Sequence, residues 1–135
     1  MKAKNLFSAF LPIAAFVLEL FPNGVVLRFW NPEGEPWVRT YNYFSLLPFG
    51  YANFGPFLTA VLTCVLLALV VIHLFKPRKG LNIAIMNVSG LATVTSLMPL
   101  MHGINYITAT GIVISVLLAV TFGLSLLKNK NFTKQ

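Results

Sequence analysis

The chain has 135 residues, 57% of them hydrophobic and only 10% charged, with a mean hydropathy of +0.79. Soluble domains of this length carry about 25% charged residues. The shortage of charge therefore excludes an ordinary water-facing surface and implies an integral membrane protein forming one domain, 1–135. The net charge of +7 does not imply nucleic acid, because the Lys and Arg residues form no patch interleaved with aromatics. They fall in short clusters beside apolar runs.

The first apolar run is Leu6–Phe21. A spanning helix needs about 17–25 residues, so this run is a short first span, interrupted by Pro12 and Glu19. Lys2 and Lys4 ahead of it also suit a signal peptide, but "FVLELFPNG" offers no small-x-small cleavage site. Glu19 is the one acid inside an apolar run. A carboxylate at the bilayer centre costs about 2.5–3.5 kcal/mol on insertion scales. Counted from Asn5 at about 1.5 Å per residue, Glu19 falls roughly 21 Å along the helix, past the midplane and near the outer interface. It is expected there as an exposed carboxylate or paired with Arg28 or Arg39, in preference to a proton or substrate site.

Residues 22–56 form a long outer loop. In it "GVVLRFW" and "WVRTYNYF" are rich in β-branched and aromatic residues and flank the turn-forming "NPEGEP". This predicts a β-hairpin, with Gly34 free to take positive φ. If Trp30 faces Trp37, Arg28 faces Arg39, an unfavourable like-charge pair. Either the register is shifted, or Glu33, Glu35 or Glu19 neutralises the pair. Ten of the chain's eighteen aromatics lie between Phe29 and Phe57. An interfacial belt accounts for many of them. The sharper reading is an interaction surface of Trp30, Trp37, Arg39, Tyr41 and Tyr43, the last four sharing one side by period two. In "LLPFGYANFGPF", Pro48 and Gly50 are expected to break regular structure. Asn53 is expected to cap the next helix, whose first turn takes Pro56.

Three further spans follow, at 57–75, 81–100 and 104–127. The third is the most polar. Asn82, Ser89, Thr93 and Ser96 fall on one stripe with Asn87 and Gly90 beside it, and the fourth offers Thr108, Gly111 and Ser115. Small and hydroxyl residues let membrane helices approach and bond across, so these are expected to pack helices. Eight of the ten Lys and Arg (Lys2, Lys4, Lys76, Arg78, Lys79, Lys128, Lys130, Lys134) lie on one side of the four spans. Both termini are therefore expected in the cytoplasm. The fold class expected is an all-α, antiparallel four-helix membrane bundle with a β-hairpin in its first extracytoplasmic loop.

Little in the chain suggests catalysis. It has no Asp, no H-x-x-E or C-x-x-C spacing and no glycine-rich phosphate loop. The lone Cys64 lies in an apolar run, and Met98, Met101 and His102 are too sparse a set to assign a soft metal. No enzyme activity, metal or cofactor is expected.

With "NPEGEPW" and "YFSLLPFGYANFGP", the chain resembles small uncharacterised four-span membrane proteins of Gram-positive bacteria. That resemblance implies a multi-pass protein of a bacterial plasma membrane. In layout alone it is also similar to the claudin group, with four helices and a strand-bearing first outer loop, but the two cysteines of the claudin loop are absent. The function expected is a non-enzymatic interaction, accessory or structural subunit. Its partners would be the lipid bilayer and a membrane protein or a second copy of itself. The alternative is a small proton-coupled or multidrug-type transporter relying on Glu19.

Overall fold

A computed structural model describes residues 3–133, with side chains from Leu6 to Asn131. Lys2 and Lys134, both counted in the charge bias, lie outside the described residues, as does the side chain of Lys4. Local chemistry sets where the helices begin and end. Helix α1 is Ala3–Glu19 and keeps Pro12 inside it. A five-residue helix, α2, covers Leu46–Gly50, and α3 covers Gly55–Phe75. Pro56 sits in the first turn of α3, where its missing N–H breaks no bond. Lys76 ends α3 because it precedes Pro77, which disfavours helical backbone before it. Helix α4 is Lys79–Leu97 and runs on as a 3-10 turn over Met98–His102. Gly103 stops it at φ 125°, a conformation open to glycine.

The last helix, α5, covers Ala109–Thr133 and starts five residues later than the expected 104. Ile104–Tyr106 forms a 3-10 turn instead, and Ile107 makes an extended bridge to Val25. Thr108 decides the start of α5. Its Oγ1 accepts from the Gly111 amide at 2.9 Å and donates to the Gly24 carbonyl at 3.0 Å.

Among the described residues, three helices are long and apolar enough to cross a membrane: Gly55–Phe75, Lys79–His102 and Ala109–Asn131. The apolar part of α1, Leu6–Glu19, is shorter. The long helices α3, α4 and α5 pack in sequence, and α1 closes the bundle against both α3 and α5. Small residues allow close approach, since Ala15, Ala60 and Ala92 are all fully buried. At Gly55 a Cβ would stand 2.6 Å from the Thr95 carbonyl oxygen, so α3 and α4 nearly touch by their backbones.

Strands β1 (Val25–Phe29) and β2 (Trp37–Tyr41) form the antiparallel hairpin. The register is the shifted one, with Phe29 opposite Trp37 and Leu27 opposite Arg39. Arg28 pairs with Val38, so successive-residue alternation puts the two arginines on opposite faces and their repulsion does not arise. The turn is held by Asn31, whose Oδ1 accepts from Glu33 N and whose Nδ2 donates to Glu35 O. Gly34 does not take positive φ.

The stretch after β2 also corrects expectation. Pro48 and Gly50 lie within α2, where Pro48 occupies the first turn and Ser45 caps it. The left-handed residue is Ala52, at φ 62°. Asn53 does not cap α3; Phe54 holds that position without a side-chain bond.

Candidate functional site

Two regions carry the candidate residues, the hairpin and the buried carboxyl below it. On the hairpin, Trp30 is 84% exposed and Trp37 is 60% exposed. Arg39 is exposed and Tyr41 is half-buried. Tyr43 leaves this group, because it is only 1% exposed. The strand ends at Tyr41, so period-two alternation does not carry on to residue 43. Instead the Tyr43 amide donates to the Glu19 carbonyl at 3.0 Å, and its ring passes over Gly24 toward Gly111. A Cβ on Gly24 would meet the ring at 2.8 Å, and one on Gly111 would meet the phenol oxygen at 3.2 Å. Burial, and then the neighbouring Glu19 carboxylate, push the Tyr43 phenol well above its ordinary range. It stays neutral at physiological pH. Tyr43 therefore anchors the hairpin and presents nothing to a partner.

Glu19 is not at an exposed interface and pairs with neither arginine. It is fully buried, and its Oε1 accepts a 2.7 Å hydrogen bond from Thr63. Its Oε2 has no hydrogen-bond partner among the described residues. Thr63 stands eight residues past Gly55 in α3, about 12 Å of rise from that end and about 18 Å from Phe75. The carboxyl is thus level with the middle third of α3. That is within about one helical turn of the level counted along α1; what the count misses is the burial, since the segment bearing Tyr43 bonds to the Glu19 carbonyl at the end of α1. One turn nearer the hairpin, Thr59 and Thr95 share a 2.8 Å hydroxyl contact between α3 and α4. Thr59 and Thr63 do not stand out by residue type within their apolar run. Their signal is a spacing of four in an otherwise apolar run, which puts both on one helix face.

The packing residues divide. Asn82 is buried and donates to the Ser125 carbonyl of α5 at 3.0 Å, a true interhelical bond. Gly90 lies against Phe122, where a Cβ would stand 3.1 Å from the ring. The hydroxyls of Ser89, Thr93 and Ser115 instead bond carbonyls of their own helices, those of Met86, Ser89 and Gly111. Ser89 and Ser115 still pack in the interior, and Gly111 makes room for Tyr43. Asn87 is exposed and does not join the buried packing residues. At the far end of the bundle, Lys128 donates to the Ser8 hydroxyl at 2.9 Å. Among the described residues, no group of three or more His, Cys, Asp or Glu is placed to hold a metal ion.

Comparison with known protein families, with curated proteins and with solved structures returns no match to this chain.

Proposed function

We propose that the chain is a non-enzymatic, multi-pass protein of a bacterial plasma membrane, whose hairpin presents Trp30, Trp37 and Arg39 to another membrane protein. The observation that carries this reading is a pair of exposed tryptophans on a hairpin whose base is built into the helix ends. Tryptophan and arginine are enriched at binding hot spots. A surface held in one pose before binding loses less conformational entropy on association. In this reading α1 completes a fourth crossing, its 17 residues supplemented by the hairpin base that packs over Glu19. Lys76, Arg78, Lys79, Lys128 and Lys130 then face the cytoplasm with both termini, and the hairpin lies outside.

The test is a photo-crosslinker placed at position 35, in the exposed turn between the two tryptophans, of the chain in its native membrane. The expected result is one discrete crosslinked membrane protein, lost in Trp30→Ala and Trp37→Ala while insertion and yield stay unchanged. A crosslink only to a second copy would reassign the surface to self-association. Unchanged crosslinking in both variants would remove the tryptophans from any interface.

A second reading, a proton-coupled transporter, is favoured by the depth of Glu19 and its unpartnered Oε2. A carboxyl at that depth is a functional-site hypothesis by default. Glu19→Gln preserves the shape and the bond to Thr63. Under this reading it abolishes proton-driven uptake in proteoliposomes with melting unchanged, and uptake equal to wild type would end it.

A further inference from the structure

A cavity of about 140 Å³ lies at the base of the hairpin, lined by Arg28 and Phe29 of β1, Tyr51 and Asn53 between α2 and α3, and His102 and Tyr106 of the 3-10 turns. Asn53 is its most telling residue. The residue is only 3% exposed, yet neither Oδ1 nor Nδ2 has a hydrogen-bond partner among the described residues. Its backbone amide is occupied by the Pro48 carbonyl, and the cap position of α3 belongs to Phe54. A buried amide with both ends unpaired is rare in a folded protein and calls for a partner. Because the oxygen and the nitrogen are both unpaired, that partner must offer an acceptor and a donor.

The charge around Asn53 narrows the chemistry. Arg28 brings a cation, and His102, Tyr51 and Tyr106 bring further polar hydrogens. The chain has three acidic residues, and none lines the cavity: Glu19 is buried against Thr63, and Glu33 and Glu35 are in the hairpin turn. An anionic group is therefore the fitting guest, and Arg is the side chain best suited to phosphate oxygens. Size agrees. A cavity of about 150 Å³ accepts benzene, so this one takes a group of about six heavy atoms, a phosphate with its ester neighbours.

The walls are aromatic. Tyr51 packs edge-on against Phe29 at 5.3 Å, and His102 lies 5.9 Å from Tyr106. Asn53 is two residues before α3 begins, beside the interlocked rings of Phe49, Phe54 and Phe57. The cavity is thus level with the ends of the apolar helices, where lipid headgroups stand. Tyr51 and His102 are exposed, so it opens outward.

We infer that this cavity binds the phosphate of an anionic phospholipid that also carries a headgroup hydroxyl. Arg28 supplies the countercharge, Asn53 Nδ2 donates to an oxygen of the headgroup, and Asn53 Oδ1 accepts from its hydroxyl. The tip tryptophans play no part, so lipid binding survives their loss even if the partner does not.

Native mass spectrometry of the full chain in mild detergent tests this with four probes: phosphatidylglycerol, phosphatidylcholine, diacylglycerol and inorganic phosphate. Phosphatidylglycerol is expected to be retained and diacylglycerol not. Arg28→Gln, at an exposed position, is expected to weaken retention about tenfold or more, the effect of losing one charge-assisted bond. Asn53→Leu removes the unpaired amide, so it is expected to raise the melting temperature of the lipid-free protein while also weakening retention. Arg28→Gln carries the test if the leucine variant does not fold. Binding of inorganic phosphate alone, lost in Arg28→Gln, would support the phosphate site but assign it to a soluble ligand. Equal retention of phosphatidylcholine, lost in Arg28→Gln, would support phosphate and overturn the hydroxyl. Retention of diacylglycerol as strongly as phosphatidylglycerol, equal retention in wild type and Arg28→Gln, or no binding of any probe would overturn the site.

Discussion

Ala52 occupies φ 62° just past α2, where its amide bonds the Phe49 carbonyl at 3.2 Å and the Asn53 amide bonds the Pro48 carbonyl at 2.9 Å. These two bonds are the Schellman pair, and the residue they require in left-handed backbone is usually glycine. A β-carbon there costs about 1–2 kcal/mol, partly offset by the greater freedom of glycine in the unfolded chain. Ala52 is exposed, so little packing goes with its methyl. Ala52→Gly is therefore expected to stabilise the protein by about 0.5–1 kcal/mol, read as a higher midpoint in thermal unfolding. Tyr43 gives a prediction in pH. Its folded-state pKa is raised above the unfolded value of 10.0, chiefly by burial. For an acid so shifted, the stabilisation is complete below the unfolded pKa and is lost as pH rises above it. The difference in melting temperature between wild type and Tyr43→Phe should stay constant up to about pH 9 and then shift against wild type as pH rises further. A constant difference through pH 11 would mean that the phenol ionises freely in the fold.

At the scale of elements, the sequence carries what is periodic and misses what depends on a neighbour. The hairpin and the three long apolar helices follow from runs of residue type, and their bounds agree with expectation to within a few residues except in α5, which ends six residues past the expected 127 and begins five past the expected 104. There the apolar run continues through Ile104, but Thr108 caps the helix and Ile107 is drawn into pairing with Val25. The burial of Glu19 was not legible from α1, because a residue count along one helix does not say what closes over its end. Tyr43 lies off the exposed face because the alternation of β2 stops with the strand at Tyr41. Ser89, Thr93 and Ser115 offered hydroxyls for crossing bonds, yet helical serine and threonine readily bond a carbonyl one turn back. Close approach was legible only in part, since Gly90 stood out beside the polar stripe and Gly55 did not. The two glycines differ in what surrounds them. A Cβ at Gly55 meets a backbone oxygen at 2.6 Å, whereas one at Gly90 meets the Phe122 ring at 3.1 Å. A backbone cannot turn aside as a side chain can. Gly55→Ala is expected to cost about 1–3 kcal/mol as α3 and α4 are forced apart, and Gly90→Ala clearly less, because Phe122 can give. Paired unfolding curves check the order, and equal costs would place the α3–α4 seam elsewhere.

For the whole molecule, the question is what keeps a two-stranded hairpin in one pose, since such a hairpin alone is at best marginally stable in water. Three fastenings tie its base to the bundle: Tyr43 N to Glu19 O, the bridge of Val25 with Ile107, and Thr108 Oγ1 to Gly24 O. Thr108 stands at the centre of this arrangement because one hydroxyl serves two elements, accepting from the first turn of α5 while donating to the hairpin. The proposed interaction surface and the proposed phosphate cavity both depend on that base, one above it and one beside it. Thr108→Val keeps the shape of the side chain and removes both bonds. Loss of the cap alone is worth about 1 kcal/mol, and the Gly24 carbonyl also loses its donor, so the global cost is expected at about 1–2 kcal/mol. The local signature is more telling than the total. Amide exchange in β1 and β2 should quicken in this variant well beyond that in α3 and α4, because the hairpin loses a fastening while the seam between those helices is untouched. Exchange that rises evenly across the chain would mean that hairpin and bundle open as one unit, and that the pose of the hairpin is set by the fold as a whole.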